Sequence, residues 1–166
     1  MPKLQDVPVQ ILLYKTKALL LLLGFSFLAG CGDILEPRYN LLGGGSLSLK
    51  ELEGKVVLIN YWAEWCHPCR VEIPELNHFA EDHLDNIRIL SVNFDGIEGD
   101  QLAEQVTALG IKFDTLLDDP REALAVPASG GLPETIVLNR EGKVQDILVG
   151  PQTQESLGAV LLSISP

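Results

Sequence analysis

Residues 56–69, which decide the fold, read VVLINYWAEWCHPC. The first half, Val56 to Trp62, is a nearly continuous apolar run rich in β-branched and aromatic residues. Such a run predicts a strand buried on both faces, as in a sheet that is covered by helices. The second half leads into Pro68 to Leu84, where apolar residues recur at helical spacing. The stretch therefore predicts a buried strand that ends at two cysteines, Cys66 and Cys69, at the start of a helix.

These two cysteines are placed for thiol–disulfide chemistry. Three residues apart at the start of a helix, they can close a disulfide with little movement of the backbone. The helix N–H groups favour the thiolate of Cys66, and a thiolate beside a second thiol is what disulfide exchange needs. We expect Cys69 to face inward, stay protonated and attack the mixed disulfide. A structural disulfide and half of a metal site are the alternatives, but only eight residues separate Cys69 from the His78 and His83 pair, too few for the spacing of a zinc finger.

The flanking segments extend this pattern into an α/β domain. A strand that ends at Asp95-Gly96, a helix that Gly110 terminates and a hairpin around Asn139 to Gly142 follow the cysteine motif. The order β-α-β-α-β-β-α predicts a sandwich with parallel central strands and an antiparallel edge. The predicted strands cover residues 47–52, 87–94, 135–138 and 144–149, and the predicted helices cover residues 102–109 and 157–164.

Composition excludes several other classes of protein. The chain has 166 residues, of which 46% are apolar and 21% charged, as expected for one globular domain. Its three cysteines are too few for a disulfide scaffold or for a zinc site with four thiolates. The net charge of −11 argues against a nucleic-acid-binding protein, which needs a basic surface.

The first thirty residues are typical of an export signal. Ala18 to Leu28 is an uncharged apolar run of 11 residues, which is too short to span a membrane and follows Lys15 and Lys17. The next residues complete Leu28-Ala29-Gly30-Cys31, which resembles the bacterial lipobox, so we expect lipidation of Cys31. A buried helix, or an ordinary signal cut near Gly30, would leave Cys31 without a role.

These observations predict three regions and a location. Residues 1–30 form the signal peptide, residues 31–46 form the lipid anchor and a glycine-rich tether, and residues 47–166 form the domain. A lipid-anchored domain would lie on the extracytoplasmic face of a bacterial membrane, in the periplasm, where disulfides persist.

Three motifs resemble those of thioredoxin-like proteins. Residues 60–69, NYWAEWCHPC, resemble the thioredoxin active-site segment. Residues 70–76, RVEIPEL, and residues 131–143, GLPETIVLNREGK, resemble the exported, membrane-tethered branch that includes cytochrome c maturation reductases and TlpA/ResA-type proteins. The resemblance covers about residues 47–166. It implies the thioredoxin fold, a three-layer α/β/α sandwich with a mixed central sheet.

The resemblance also implies roles for residues near the cysteines. Pro133 corresponds to the cis-proline of the family, which faces the cysteine pair and leaves the preceding backbone free for a substrate strand. Leu132 would then line the site and contact the substrate. We expect Glu134 to help move protons to or from Cys69, because Asn60 replaces the buried aspartate of thioredoxin. A solvated acid at the end of a strand is the alternative for Glu134.

Three residues of the motif, Trp65, His67 and Pro68, are expected to contact the substrate, and the last two also to affect the reduction potential. Trp65 would cover the active-site surface and contact partners. His67 would stabilise the Cys66 thiolate and raise the reduction potential, whereas Pro68 resembles the reducing arrangement of thioredoxin. These two effects oppose each other, so the motif does not fix the potential.

The resulting hypothesis is a membrane-anchored thiol–disulfide oxidoreductase that needs no cofactor or metal. Reduction of disulfides in exported proteins, with apocytochrome c maturation as one pathway, is the expected direction. Its partners would be exported cysteine-containing proteins and a membrane thiol protein that donates electrons. An oxidase or isomerase, favoured only by His67, is one alternative. A Cu(I)-binding module that uses Cys66, Cys69 and His67 is the other, because thiolates suit that ion.

Overall fold

The computed structural model describes residues 36–128 and 130–164, which contain seven strands and three α-helices. The predictions for the signal segment and for Cys31 lie outside these residues. Among the described residues, no helix is both long and apolar enough to cross a membrane. In chain order the elements are β1 (Arg38–Asn40), β2 (Ser46–Ser48), a 3₁₀ helix (Leu49–Leu52), β3 (Val56–Trp62), α1 (His67–Asp82), β4 (Ile87–Asn93), α2 (Gly99–Leu109), β5 (Asp114–Leu116), β6 (Glu134–Leu138), β7 (Val144–Val149) and α3 (Gln154–Ile164).

The central sheet has five strands in the order β5-β4-β3-β6-β7. Strands β3, β4 and β5 are parallel, and β6 and β7 are antiparallel to their neighbours. Every side chain of β3 is buried, which confirms the prediction of a strand covered on both faces. This mixed α/β sheet confirms the predicted fold class.

The two faces of the sheet are covered by different layers. The crossovers from β3 to β4 and from β4 to β5 run in the same direction, so right-handed connections place α1 and α2 on one face. Helix α3 joins that face, where Leu157 packs with Leu76 and Phe79 of α1. The opposite layer consists of the β1–β2 hairpin, the 3₁₀ helix and part of the connection between β5 and β6, and Tyr39 and Leu47 of the hairpin are buried there.

The domain begins earlier than the sequence indicated. The sequence predicts a tether over residues 31–46, but Arg38–Asn40 pairs with Ser46–Ser48 in a hairpin. The glycine triplet forms the turn, where Gly44 and Gly45 have φ angles of 92° and 80°. The prediction of a strand over Leu47–Leu52 is also wrong beyond residue 48. There the side chain of Ser48 caps a 3₁₀ helix by accepting a hydrogen bond from the Glu51 N–H.

The remaining elements follow the sequence pattern closely. Helix α2 ends at Gly110, which has a left-handed backbone with φ of 70°. Pro74 lies inside α1 without ending that helix. Strand β5 has three residues and was not predicted, because it is too short to show alternation.

Candidate active site

The cysteine pair lies where β3 ends and α1 begins. Cys66 and Cys69 form a disulfide, with their Cα atoms 5.4 Å apart. Cys66 is the N-cap of α1, and its Sγ accepts a 3.2 Å hydrogen bond from the Cys69 N–H. The helix N–H groups would therefore stabilise a thiolate at Cys66, which is the form of the side chain that attacks a disulfide. Cys69 is fully buried, as its expected inward orientation predicts.

The residues around the disulfide expose one large aromatic side chain. Trp65 is 67% exposed, and its Nε1–H donates a 2.9 Å hydrogen bond to Asp95 Oδ2. His67 and Pro68 are exposed at the first turn of α1. Trp65 thus offers an oriented apolar surface to a partner beside the cysteine pair.

The predicted cis-proline is confirmed, since the Leu132–Pro133 bond is cis. Leu132 is half-buried and packs against the cluster that contains Cys66 and Cys69. The carbonyl of Pro133 accepts a 2.9 Å hydrogen bond from Gly150, which ties the start of β6 to the end of β7. The structure therefore places Leu132, which precedes the cis-proline, against the cluster that contains the disulfide.

A buried carboxyl group that the sequence analysis missed lies one helical turn beyond Cys69. Glu72 is 1% exposed, and burial raises its pKa to about 7 against two hydrogen bonds that lower it. Asn60 Nδ2 donates to Glu72 Oε2 at 2.9 Å, and the Gln152 N–H donates to Oε1 at 3.0 Å. A carboxyl group that titrates near neutral pH on the buried face of α1 can exchange a proton with a neighbouring thiol.

The sequence did contain a signal for this residue. Glu72 follows Cys69 by three residues and directly precedes Ile73, on the face of α1 that packs against the sheet. A charged residue inside an apolar helical stripe is uncommon and points to a buried polar role.

Glu134 has different surroundings from those expected. It pairs in register with Tyr61, whereas Asn60, which contacts Glu72, pairs with Thr135. Neighbouring residues of a strand point to opposite faces, so Glu134 and Glu72 lie on opposite sides of the sheet. Glu134 is 1% exposed and forms a 2.9 Å ion pair with Arg121. Proton transfer by Glu134 stays a prediction, while Glu72 lies on the same helix as Cys69.

Comparison with known proteins identifies the family. The AhpC/TSA family profile matches residues 36–147. This chain belongs to that family of thioredoxin-like proteins. Similar curated relatives include the thiol-disulfide oxidoreductase ResA of Bacillus anthracis, which is 32% identical over 75% of this chain and 72% of that protein. The thioredoxin-like protein YneN of Bacillus subtilis is 34% identical over 73% of each chain.

Two solved structures share the fold of this chain. A DsbF homologue from Corynebacterium diphtheriae superposes with a TM-score of 0.68 at 26% identity, covering 77% of this chain and 83% of that chain. StoA from Bacillus subtilis has a TM-score of 0.60 at 24% identity, covering 75% of this chain and 96% of that chain. Together with the Cys66–Cys69 pair, the relatives make this member of the family a thiol–disulfide oxidoreductase.

Among the described residues, no three His, Cys, Asp or Glu side chains come together as a metal-binding group. Copper binding by Cys66, Cys69 and His67 stays a prediction that a copper titration of the reduced protein would test.

Proposed function

We propose that this protein is an exported, lipid-anchored reductase of disulfides in other exported proteins. The observation that carries the thiol–disulfide chemistry is the Cys66–Cys69 pair at the N-terminus of α1, with the buried Glu72 carboxyl group one helical turn beyond Cys69. A reductase must deprotonate its resolving thiol in every cycle, and a group that titrates near the working pH does this most effectively.

The reaction begins at the cysteine that caps α1. The Cys66 thiolate attacks one sulfur of a client disulfide, so that a Cys66–client bond forms and the second client sulfur leaves as a thiolate. Cys69 then gives its proton to Glu72 and attacks Cys66 Sγ. The first client sulfur leaves as a thiolate, and the Cys66–Cys69 disulfide closes.

The balance of the cycle requires a second partner. The client gains two electrons from the cysteine pair and two protons, one by way of Glu72 and one from solvent. The Cys66–Cys69 disulfide must then be reduced by a dithiol, which we assign to a thiol protein of the membrane. Exported proteins with cysteine pairs, apocytochromes c among them, are the proposed clients.

The client polypeptide is proposed to lie beside Leu132 and Pro133. A proline has no N–H, so the backbone before it stays available for hydrogen bonds with an extended segment of the client. Trp65, the exposed residue directly before Cys66, provides an apolar contact for the same polypeptide.

Trapping of the mixed disulfide tests the assignment of the two cysteines. A Cys69→Ser variant of the full chain, mixed with oxidised insulin, should accumulate a covalent adduct through Cys66 that dithiothreitol releases. A Cys66→Ser variant should form none. An adduct with Cys66→Ser alone would reverse the two roles, and no adduct with either would remove the proposed reaction.

Lipidation is tested separately from the chemistry. Expressed in a bacterial host that is fed labelled palmitate, the full chain should carry the label and sediment with membranes. A Cys31→Ala variant should lose the label, whereas a label that persists would contradict lipidation at Cys31.

A further inference from the structure

A buried ion pair lies directly beside the cis-proline, on the face of the sheet opposite Glu72. Glu134, the residue after Pro133, pairs with Arg121 at 2.9 Å. The guanidinium of Arg121 lies 3.8 Å from the centroid of the Tyr61 ring, and Tyr61 is opposite Glu134 in the sheet. Arg121 thus contacts the two strands that flank the active site, β3 and β6.

The same arginine also holds the connection that leads to Pro133. Its Nη1 donates a 2.9 Å hydrogen bond to the Pro127 carbonyl, and its backbone N–H donates to Asp119 Oδ1 at 2.9 Å. Asp119 Oδ1 also accepts a 2.8 Å hydrogen bond from the Tyr61 hydroxyl. Through its guanidinium and its backbone N–H, Arg121 therefore links residues 119–127 to Tyr61 in β3 and Glu134 in β6.

This arrangement is poorly suited to a role in stability alone. Burying an ion pair costs desolvation free energy, which the attraction between the two charges often does not offset. Proteins in which apolar side chains replace both partners are often as stable as the original. In addition, Arg121 Nη2 is buried and has no hydrogen-bond partner among the described residues. An unused buried donor lowers stability, so it calls for another explanation.

We propose that Arg121 is a positioning residue for client recognition. By holding Glu134 and Pro127, it fixes the segments on both sides of Leu132 and Pro133, against which the client polypeptide lies. The inference rests on the proposed function, because it assumes that a polypeptide client occupies this position. A small disulfide needs only the sulfur of Cys66 and depends far less on this alignment.

Comparing two substrates tests the inference. Pre-reduced full-length protein is mixed with excess oxidised insulin or with excess dithiobis(nitrobenzoate), a small aromatic disulfide, and the two second-order rate constants are measured. Thiols of unfolded chains also react with the small disulfide, so the variants are compared at equal folded fraction, measured by circular dichroism, and the insulin-to-small-disulfide ratio then reports on client recognition.

Two substitutions at Arg121 keep the test decisive. Arg121→Met removes the charge and the hydrogen bonds, and we expect it to lower the ratio about tenfold or more. Arg121→Lys keeps the charge beside Glu134 but lacks the planar group that contacts Tyr61 and Pro127 together, so it should lower the ratio by a smaller factor. Arg88→Met, which removes an ion pair with Asp114 at the other edge of the sheet, should leave the ratio unchanged.

The outcomes separate this inference from the proposed function. A wild-type ratio in both Arg121 variants would overturn the positioning role and leave the reductase assignment intact. Failure of the wild-type protein to reduce insulin, despite reaction with the small disulfide, would remove the proposed function and this inference with it.

Discussion

Asn60 Nδ2 donates a 2.9 Å hydrogen bond to Glu72 Oε2 in the buried space between β3 and α1. Asn60 also donates to Thr135 Oγ1 at 3.0 Å, so a neutral side chain links β3, β6 and α1. In this chain Asn60 stands where thioredoxin has a buried aspartate. The titratable group is instead Glu72, which lies on the helix that carries Cys69.

Replacing Glu72 with Gln should slow the resolving step. The amide cannot accept the Cys69 proton, so the Cys66–client mixed disulfide should accumulate and turnover with insulin should fall about a hundredfold. Quenched-flow samples separated without reductant measure the intermediate. Glu81→Gln is the control, because Glu81 is exposed on the same helix and pairs with Lys112. Equal amounts of intermediate in Glu72→Gln and wild-type protein would exclude the proton-transfer role.

Glu72 should also make the oxidised protein less stable as the pH rises. Its pKa increases from an ordinary value of 4.5 to about 7, so between these values the folded state keeps a proton that the unfolded state has lost. The free energy of unfolding should therefore decrease from pH 4.5 to 7, by roughly 3 kcal/mol at about 1.4 kcal/mol per pH unit. Below pH 4.5 and above pH 7 this contribution should be constant.

Urea unfolding of the oxidised protein at several pH values measures this effect. The difference between wild type and Glu72→Gln should show the decrease, whereas the difference between wild type and Glu81→Gln should not. A flat difference for Glu72→Gln from pH 4.5 to 7 would mean that the carboxyl group titrates normally.

An Asn60→Asp substitution should place two acids in one buried site. Two carboxylates at hydrogen-bond distance cannot both ionise easily, so the pKa of the pair should rise further and the decrease in stability should extend above pH 7. Urea unfolding of the oxidised variant at pH 8 should show a loss of about 2 kcal/mol relative to wild type.

The matched control for that prediction is Asn139→Asp in the turn between β6 and β7. Asn139 Oδ1 accepts hydrogen bonds from the N–H groups of Glu141 and Lys143, which a carboxylate also accepts. This variant should keep nearly wild-type stability. If Asn60→Asp behaves in the same way, Asn60 and Glu72 are not electrostatically coupled.

His67 should have only a small effect on the reduction potential. It is exposed at the first turn of α1, where solvent screens its influence on the Cys66 thiolate. His67→Gln should lower the potential by about 30 mV or less. His78→Gln, an exposed position on the same helix, should leave it unchanged, and a decrease of about 100 mV at His67 would mean that this side chain sets the potential.

The sequence predicted the elements that carry strong local patterns. The apolar run of β3 and the cysteine spacing were sufficient to locate the strand, the helix and the redox pair. The cis bond before Pro133 followed from the family motif, since local sequence does not distinguish cis from trans proline. The hairpin at residues 38–48 was missed because Gly43, Gly44 and Gly45 look like a tether until Tyr39 and Leu47 are seen to pack on the sheet.

The buried acids were harder to predict because their environment is formed by distant residues. Glu72 meets Asn60 across 12 positions and Gln152 across 80. Arg121 contacts Glu134 only because the connection between β5 and β6 folds onto β3. No helical or strand periodicity in the sequence predicts that contact. Sequence motifs therefore located the reacting sulfur atoms, whereas the groups that exchange protons and position the client required the structure.

The reduction potential of the Cys66–Cys69 couple tests the central claim most directly. Full-length protein is equilibrated with glutathione and dithiothreitol buffers, and the fraction of disulfide is measured after acid quenching. Our account predicts a potential at or below about −270 mV, near that of thioredoxin, since a reductase must donate electrons to client disulfides. A potential near about −120 mV would make that transfer unfavourable and would identify the protein as a thiol oxidase.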